Sequence, residues 1–309
     1  MTRFSRRSNA EQVSEGADLS GKNALVTGAN TGLGQETARV LALRGAHVTM
    51  ACRNRAKAQE AKQEIVDSSV GKISEAQLDF LELDLNSLAA VRTSAEVFKE
   101  WQRPLHLLIN NAGIMIPIER RTEDGFEAHM GINHLGHFLF TNLLLDSLSA
   151  AKGARVVMVS SSAMGMATLT PQLQDLNWES RKFSGFRSYG DSKLMNLMFS
   201  NEFNRRYAGE GIFANALHPG VIATELARDQ SIPFMLLGVF MLPLMKTVPR
   251  GAATSLYAAT SPDYEQRGGL FFSDCREKKV LHKLAQDEDA CAALWQRSCQ
   301  MTDFADNRS

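Results

Sequence analysis

The stretch Thr27-Gly28-Ala29-Asn30-Thr31-Gly32-Leu33-Gly34 decides how this chain folds. It follows the apolar run Ala24 to Val26, which is typical of a buried strand, and it leads into the amphipathic segment Gly34 to Leu43. Glycines in such a turn let the backbone approach a pyrophosphate, and the N–H groups at the start of the helix face its charge. The stretch therefore predicts a nucleotide-binding turn at the first strand-to-helix junction, with a tight connection that binds nothing as the alternative.

Apolar runs of strand length alternate with amphipathic helical segments along the rest of the chain. The predicted strands are Ala24–Val26, His47–Ala51, Leu78–Leu83, Leu105–Ile109, Arg155–Val159, Ile212–Leu217 and Gly269–Phe272. Among the predicted helices, a long one runs from about Asn133 to Leu148. The alternation predicts an α/β protein with a single-domain Rossmann fold, in which a doubly wound parallel sheet of about seven strands has helices on both faces.

The ends and two internal segments stand apart from this alternation. We expect the domain to cover residues 19–300, with a flexible N-terminal tail at 1–18 and a C-terminal tail at 301–309. The N-terminal segment is polar and has no apolar core of a secretory signal. Inside the domain we expect a substrate insertion at about 163–186 and an apolar flap at about 226–248.

The composition predicts a soluble globular protein without affinity for nucleic acid. Lys plus Arg number 34, as do Asp plus Glu, and 44% of the residues are apolar. The four cysteines form no C-x-x-C pair, which fits the reducing cytoplasm, and no residue set has metal-ligand spacing, so we expect no metal. The most apolar segment, Ile232 to Met245, has only 14 residues and contains prolines. It predicts no transmembrane span and leaves peripheral membrane contact open.

Tyr189 and Lys193 lie four positions apart in a predicted helix, so their side chains share one face. A nearby ammonium favours the phenolate form and would bring the pKa of Tyr189 from about 10 toward neutrality, where proton transfer is most effective. Tyr189 is therefore a candidate acid/base. The same spacing occurs by chance in many helices, so the assignment of Tyr189 as a catalytic residue depends on the other motifs.

The end of the second predicted strand carries no acid. NAD-preferring proteins of this architecture usually have a carboxylate there, which accepts a hydrogen bond from the ribose 2′-hydroxyl. This chain has Cys52 and then Arg53, with Arg55 and Lys57 beyond. A guanidinium can bind a 2′-phosphate through two charged hydrogen bonds, so the position favours NADP(H) over NAD(H). A solvated basic helix start is the alternative.

Together these motifs resemble those of the short-chain dehydrogenases/reductases, from about Leu19 to the final helix. The family pattern combines Thr-Gly-x-x-x-Gly-x-Gly, Asn-Asn-Ala-Gly, an Asn, a Ser and Tyr-x-x-x-Lys. The chain matches it with Thr27–Gly34, Asn110–Gly113, Asn133, Ser160–Ser162, and Tyr189 with Lys193. Finer detail resembles the branch of the retinol dehydrogenases and the WW-domain-containing oxidoreductase. The segments that carry this likeness are Ala51–Asn54, Asn133–Phe138, Ser192–Leu194, His218–Gly220, Gly268–Cys275 and Leu294–Ser298.

The resemblance implies four catalytic residues. Tyr189 would donate or accept the proton, Lys193 would lower its pKa and hold the nicotinamide ribose, and Ser161 would hydrogen-bond the substrate oxygen. Either neighbouring serine is a close alternative to Ser161. Asn133 would anchor a water that passes protons through Lys193, unless it only caps its helix.

The resemblance also implies the residues that hold the dinucleotide. Asp84 would accept from the adenine amino group, or it would cap the next helix, and Thr224 also has a helix cap as its alternative role. The implied set is Gly28, Asn30, Thr31, Gly32, Leu33, Gly34, Arg53, Asp84, Leu85, Asn111, Ala112, Gly113, Tyr189, Lys193, Pro219, Gly220, Ile222 and Thr224.

The implied reaction is hydride transfer between NADP(H) and a lipophilic carbonyl or alcohol, such as an aldehyde, ketone, retinoid or steroid. The insertion and the flap would supply the apolar walls of the substrate pocket, although the flap could instead be a dimer interface or part of the hydrophobic core. The residues concerned are Met164, Met166, Phe234, Met235, Leu236, Phe240 and Met245.

Other functions stay open at this point. One alternative is a catalytically silent NADP-binding regulatory protein or a membrane-associated interaction protein, and another is a reductase of carbon–carbon double bonds that resembles the protochlorophyllide reductases. A silent protein would be expected to have lost the Tyr, Lys or Ser, and all three are in place. Family analogy also predicts a homodimer or homotetramer through the helices near Asn133 and Tyr189.

Overall fold

The computed structural model describes residues 4–222, 245–280 and 282–306. Its strands are β1 (Asn23–Thr27), β2 (His47–Cys52), β3 (Leu78–Glu82), β4 (Leu107–Asn110), β5 (Ala154–Val159), β6 (Ile212–His218), β7 (Val221–Ile222), β8 (Met245–Lys246), β9 (Leu270–Ser273) and β10 (Arg276–Glu277). One sheet has the order β10-β9-β6-β5-β4-β1-β2-β3, and β7 pairs with β8 separately. All neighbours in the large sheet are parallel except β9 and β10. The strand order changes direction between β1 and β4, which confirms the predicted doubly wound sheet and marks the edge where ligands bind in such folds.

Helices cover both faces of this sheet, as predicted. They are α1 (Ala10–Val13), α2 (Gly32–Leu43), α3 (Arg55–Ser68), α4 (Leu88–Glu100), α5 (Gly136–Leu143), α6 (Leu145–Ser149), α7 (Gly185–Tyr207), α8 (Val248–Thr260), α9 (Lys283–Gln286) and α10 (Glu288–Thr302). On one face α2, α3 and α8 contribute the buried residues Leu41, Ile65 and Leu256. On the other face α4 and α5 contribute Phe98 and Phe138, among others. Each such side chain gains about 1.5–3 kcal/mol by leaving water, so both layers stabilise the sheet edge that carries the site.

The long helix predicted from Asn133 to Leu148 is broken into pieces. A π-helical segment, His129–Leu135, runs directly into α5, and α5 ends before α6 begins. The side-chain amide of Asn142 donates to the carbonyl of Phe138 at 2.8 Å, a local bond that competes with the helical pattern near the break. The π turn also directs the side chain of Asn133 toward the loop after β4, so the irregularity lies at the candidate site.

The N-terminal segment is more ordered than the predicted tail. Residues 4–18 include α1, where Asn9 and Gln12 form a reciprocal capping box and Ala10 is fully buried. Glu11 pairs with Arg39 of α2 at 2.6 Å. The expectation of a flexible tail is therefore wrong for these residues, because a helix of one turn shows no periodicity in the sequence.

The C-terminal residues pack against α7 and α5 instead of forming a tail at 301–309. Trp295 of α10 is 1% exposed, and its ring centroid lies 5.1 Å from that of Phe138. The indole nitrogen of Trp295 donates to Asp306 at 2.8 Å, and Arg206 of α7 pairs with the same carboxylate at 2.9 Å. The predicted tail is thus wrong up to residue 306, and 307–309 lie outside the described residues. In the part of the chain that the structure describes, no helix is both long and apolar enough to cross a membrane.

Candidate active site

The glycine-rich turn joins the carboxyl end of β1 to the N-terminus of α2. Gly28 and Gly32 have φ angles of +66° and +56°, which side-chain-bearing residues rarely adopt. A Cβ on Gly34 would lie 2.2 Å from the carbonyl oxygen of Gly28, so a larger residue would force the turn open. The side chain of Thr31 makes no capping bond, which leaves N–H groups at the start of α2 for a ligand. The turn therefore fits a pyrophosphate, with Asn30 and Leu33 partly buried within it.

A hydrogen-bond network under this turn fixes the loop that follows β4. The hydroxyl of Thr27 accepts from the N–H groups of Asn111 and Ala112, each at 2.9 Å. It also lies 2.9 Å from Nε2 of His137, whose Nδ1 lies 3.0 Å from the carbonyl oxygen of Asn133. Burial lowers the pKa of His137 to about 4, so the imidazole is neutral at neutral pH. Its protonated Nδ1 donates to the carbonyl of Asn133, and its Nε2 therefore accepts the hydroxyl proton of Thr27. Sequence analysis missed Thr27 and His137, although Thr27 is the first residue of the family pattern.

The carboxyl end of β2 also reaches the glycine turn. Cys52 is buried, and its sulfur accepts hydrogen bonds from the N–H groups of Ala29 and Asn30. Burial raises the pKa of the Cys52 thiol to about 12, so the thiol is uncharged at neutral pH. Arg53, the next residue, is exposed. A neutral thiol followed by an exposed cation therefore stands where NAD-preferring proteins place an acid.

Asp84 and Leu85 follow β3 at the same edge of the sheet. The carboxylate of Asp84 accepts from the N–H of Asn86 at 2.9 Å, whereas the capping residue of α4 is Ser87. The helix-cap alternative for Asp84 is therefore wrong, and its contact with adenine stays a prediction. Leu85 is buried against Gly136, where an added Cβ would meet it at 3.0 Å. Leu85 thus supports this edge of the sheet through packing.

Tyr189 and Lys193 are brought together on α7 as predicted. The ammonium of Lys193 lies 5.6 Å from the centroid of the Tyr189 ring and donates to the carbonyl of Val159 at 3.0 Å. A Cβ on Gly113 would lie 3.2 Å from the same ammonium, which shows how closely the loop after β4 approaches it. The Tyr, the Lys and the Asn-Asn-Ala-Gly loop therefore share one site.

The protonation of this pair differs from the prediction. Burial raises the pKa of Tyr189 to about 12, and a hydrogen bond with the side chain of Ser161 only partly opposes this rise. Burial also lowers the pKa of Lys193 to about 8. The expected shift of Tyr189 toward neutrality is thus wrong for this structure, because burial disfavours the phenolate and the ammonium donates to Val159 instead of the phenol. At neutral pH Tyr189 holds its proton and Lys193 is mostly charged.

The three consecutive serines have different surroundings. Ser160 is buried, and its hydroxyl donates to the carbonyl of Lys193 at 2.6 Å. Ser161 is partly buried and hydrogen-bonds Tyr189, whereas Ser162 is exposed. Ser161 is therefore the serine whose hydroxyl can share a substrate oxygen with the phenol, as the resemblance implied, and Ser160 instead braces α7.

Asn133 connects the loop after β4 to α7. Its side-chain oxygen accepts from the N–H of Ile114 at 2.8 Å, and its side-chain nitrogen donates to the carbonyl of Ile114 at 3.0 Å and to Ser192 at 3.0 Å. Ser192 in turn donates to the carbonyl of Tyr189 at 2.8 Å. Asn133 does not cap a helix, so that alternative is wrong. The water that Asn133 is predicted to anchor stays a prediction. In the structure, Asn133 fixes the position of the loop after β4 relative to the backbone of Tyr189.

The segment after β6 lies at the same edge. Gly220 has a φ of +104°, and a Cβ there would lie 2.8 Å from the side chain of Lys246. Lys246 is 4% exposed, donates to the carbonyl of Pro219 at 3.1 Å and pairs with Asp274 at 2.7 Å. Ile222 is buried in β7. Lys246 was not a predicted site residue, because an isolated lysine beside an apolar stretch carries no recognisable spacing.

The insertion at 163–186 is fastened to α7 just beyond Tyr189. Asp191 is buried and pairs with Arg181 at 2.9 Å, while the guanidinium carbon of Arg181 lies 3.6 Å above the ring of Trp178. The hydroxyl of Thr168 lies 3.2 Å from the same carboxylate. Burial raises the pKa of Asp191, although Thr168 and Arg181 oppose the rise. A charged bridge therefore holds the predicted substrate insertion against the catalytic helix.

The structure describes only some of the residues predicted to form the apolar walls of the substrate pocket. Met164 packs against the core, and Met166 is 45% exposed. Met245 lies in β8. Thr224, Phe234, Met235, Leu236 and Phe240 lie outside the described residues.

The arrangement suits proton transfer next to a bound dinucleotide. The glycine turn fits a pyrophosphate, and a protonated phenol, a hydroxyl and a buried ammonium meet at the same sheet edge. Among the residues that the structure describes, no three His, Cys, Asp or Glu side chains are grouped to hold a metal ion.

Known proteins resemble this chain over most of its length. Residues 22–171 match the family model of the short chain dehydrogenases. Retinol dehydrogenase 12 of Homo sapiens is 43% identical over 92% of the chain and 87% of that protein. The WW domain-containing oxidoreductase of Danio rerio is 40% identical over 96% of the chain and 72% of that protein.

Solved structures show the same fold. An uncharacterized protein from Mycobacterium paratuberculosis superposes with a TM-score of 0.75 at 37% identity, covering 94% of this chain and 97% of that one. A blue fluorescent protein from a metagenomic library, solved in complex with NADPH, superposes with a TM-score of 0.64 at 25% identity, covering 82% and 96%.

Proposed function

Because this chain belongs to the short-chain dehydrogenase/reductase family, in the branch of the retinol dehydrogenases and the WW domain-containing oxidoreductase, we propose that it is an NADP(H)-dependent oxidoreductase of lipophilic carbonyls and alcohols. The observation that carries the proposal is the meeting of Tyr189, Lys193 and Ser161 beside a glycine turn that fits a pyrophosphate. A protein that only binds the nucleotide would not need the phenol, the ammonium and the hydroxyl at one edge.

The protein's own groups explain the proton half of the reaction. The nicotinamide, when bound, supplies or takes up the hydride at the substrate carbon. Tyr189 keeps its proton at neutral pH, so in the direction of carbonyl reduction it is a proton donor to the substrate oxygen. Ser161 would hydrogen-bond that oxygen, and the charge of Lys193 would stabilise the phenolate left behind. Asn133 keeps the loop and the helix aligned throughout.

The proposed preference for NADP(H) is supported by the end of β2. Arg53 is exposed and free of a neighbouring acid at position 52, because Cys52 is a neutral thiol. A 2′-phosphate would meet a cation there without repulsion. The NADPH complex of the metagenomic blue fluorescent protein shows that this fold holds that cofactor in a neighbour. The supporting residue in this chain is Arg53.

The proposed substrates are lipophilic aldehydes, ketones, retinoids or steroids and the matching alcohols. The name of retinol dehydrogenase 12 indicates a retinoid for that relative, and 43% identity makes a similar class the first choice here. The partly buried Met164 and the exposed Met166 offer adaptable apolar surface near Ser161.

We also propose a cytoplasmic location with peripheral contact to membranes as the second choice, and a homodimer or homotetramer. α10 already covers part of α7 and α5 through Trp295, so an interface on these helices would have to use the surface that α10 leaves uncovered. Light scattering on the purified protein measures the mass of the particle in solution and so tests the proposed homodimer or homotetramer directly.

The test is an NADPH-oxidation screen over lipophilic aldehydes and ketones with the purified protein. Replacing Tyr189 by Phe removes one oxygen and leaves the ring, so the rate should fall about 10²–10⁴-fold. Tyr207→Phe is the matched control, because Tyr207 lies on the same helix, α7, but is buried against Trp295. It should keep the wild-type rate. A Tyr189→Phe variant as active as Tyr207→Phe would contradict the assigned role, and absence of turnover with every carbonyl would contradict the function.

A further inference from the structure

Glu127 and His129 form a buried pair directly behind Tyr189. Both are 0% exposed, and Nδ1 of His129 lies 2.9 Å from Oε1 of Glu127. The same nitrogen lies 3.0 Å from the hydroxyl of Ser188, the residue before Tyr189 on α7. The pair has no part in the proton transfer described above, so its position next to the phenol needs another explanation.

The remaining ring nitrogen fixes the protonation state of His129. The N–H of Ile116 donates to Nε2 of His129 at 2.9 Å. Since a backbone N–H can only donate, Nε2 carries no proton and Nδ1 carries one, which it offers to Glu127 and Ser188. Burial would raise the pKa of Glu127, but hydrogen bonds from His129 and from the N–H of Met130 outweigh burial and lower it. The pair is thus a neutral imidazole held by a carboxylate.

The imidazole touches rings from two other parts of the molecule. The Tyr189 ring meets it edge-on with 5.9 Å between centroids, and Phe183 of the insertion is stacked on it at 6.5 Å with 6° between planes. The N–H of Glu127 donates to the side chain of Asn177, also in the insertion, at 2.7 Å. His129 and Glu127 therefore join three parts: the loop after β4 through Ile116, the insertion, and the catalytic end of α7.

We propose that His129, held by Glu127, is a positioning residue that sets the orientation of the Tyr189 ring and couples it to the substrate insertion. The proposal rests on the proposed oxidoreductase function. His129 does not touch the reacting atoms. It acts through Tyr189, because an edge-on ring contact and a fixed Ser188 limit the angles that the phenol can adopt.

The test compares His129→Phe with His134→Phe. His134 is also a buried histidine of the π-helical segment, but its Nε2 lies 2.8 Å from the hydroxyl of Ser298 on α10. His129→Phe keeps a ring and loses the acceptor for Ile116, so kcat should fall about tenfold or more while the Kd of NADPH changes less than about twofold. His134→Phe should leave kcat within about twofold. An equal loss of kcat in both variants, or no loss in His129→Phe, would overturn the proposal.

A measurement without turnover separates this proposal from the proposed function. The chain has four tyrosines, so a protein with carbon-13 at the tyrosine Cζ gives a simple spectrum in which the Tyr189→Phe variant identifies the Tyr189 signal. The signal should move in His129→Phe and stay in place in His134→Phe. If His129→Phe does not fold, Glu127→Gln keeps the shape and one acceptor oxygen and should move the signal in the same way. An unmoved Tyr189 signal overturns the positioning role, whereas a wild type without turnover contradicts the function alone.

Discussion

The side of the site that fits the cofactor and the side that faces the insertion are built by different means. On the cofactor side, Gly28, Gly34 and the hydroxyl of Thr27 shape the turn through backbone conformation and backbone hydrogen bonds. On the insertion side, His129 and Asp191 hold distant segments through buried side-chain bridges. The cofactor side therefore tolerates few changes within short motifs, whereas the insertion side can change its residues as long as the bridges persist.

Gly34→Ala should damage the cofactor side most. The added Cβ would lie 2.2 Å from the carbonyl of Gly28 and 2.6 Å from the side chain of Asn111, so the turn has to open. The Kd of NADPH, measured by fluorescence titration, should rise about 100-fold or more, which corresponds to about 2.7 kcal/mol. Gly209→Ala is the matched control, because a Cβ there meets nothing within 4 Å. Unchanged binding in Gly34→Ala would mean that the turn does not hold the pyrophosphate.

Arg53→Glu tests the cofactor side by reversing a charge, whereas Gly34→Ala tests it by changing the shape of the turn. It replaces the proposed 2′-phosphate partner by the acid that NAD-preferring proteins carry, so the ratio of kcat/KM for NADPH over NADH should fall about 30-fold, equivalent to about 2 kcal/mol. Arg297→Glu makes the same charge change at an exposed position on α10 and should leave the ratio unchanged. A wild type that prefers NADH would show that the argument from Arg53 is wrong.

Arg181→Ala should affect the insertion side alone. Asp191 would lose its charged partner, and the insertion would loosen from α7, so the KM for a lipophilic substrate should rise about fivefold while the Kd of NADPH stays the same. Arg267→Ala is a suitable control, since Arg267 also lies above an aromatic ring, that of Tyr264 at 5.0 Å, and pairs with Glu277 on the surface. A parallel loss of NADPH binding in Arg181→Ala would show that the two sides are not independent.

Lys193 lies where the two sides meet, and its burial predicts how stability depends on pH. Its pKa of about 8 in the folded protein is below the unfolded value, so the unfolded chain binds more protons above about pH 7 and stability rises as pH passes through 8. Between pH 7.5 and 8.5 the free energy of unfolding should gain about 0.7 kcal/mol relative to Lys193→Met. Urea unfolding of both proteins measures this difference. A gain of the same size in Lys193→Met would assign it to other groups.

Short motifs predicted the fold and the cofactor side because these features depend on residues that are close together in the sequence. A glycine turn after an apolar strand needs only neighbouring residues, and the seven parallel strands follow from the alternation of apolar runs. The Tyr189 and Lys193 pair was found for the same reason, since a spacing of four on a helix guarantees a shared face.

The supporting residues could not be found in this way. Ile116 and His129 are joined across 13 positions and Asp191 and Thr168 across 23, and no spacing rule links such residues. The prediction for the pKa of Tyr189 was wrong for a related reason, because the sequence shows that Lys193 is near but does not show the burial that raises this pKa. The one-turn helix α1 and the packing of Trp295 also depend on contacts with distant elements.

Transfer of deuterium tests the central claim most directly. The protein is incubated with NADPH deuterated at both C4 positions and a lipophilic aldehyde that the screen has identified, and the alcohol is analysed by mass spectrometry. The account predicts one deuterium on the carbinol carbon with the wild type and with Tyr207→Phe, and about 10²–10⁴-fold slower formation of that alcohol with Tyr189→Phe. An alcohol without deuterium, or equal rates for the two tyrosine variants, would contradict it.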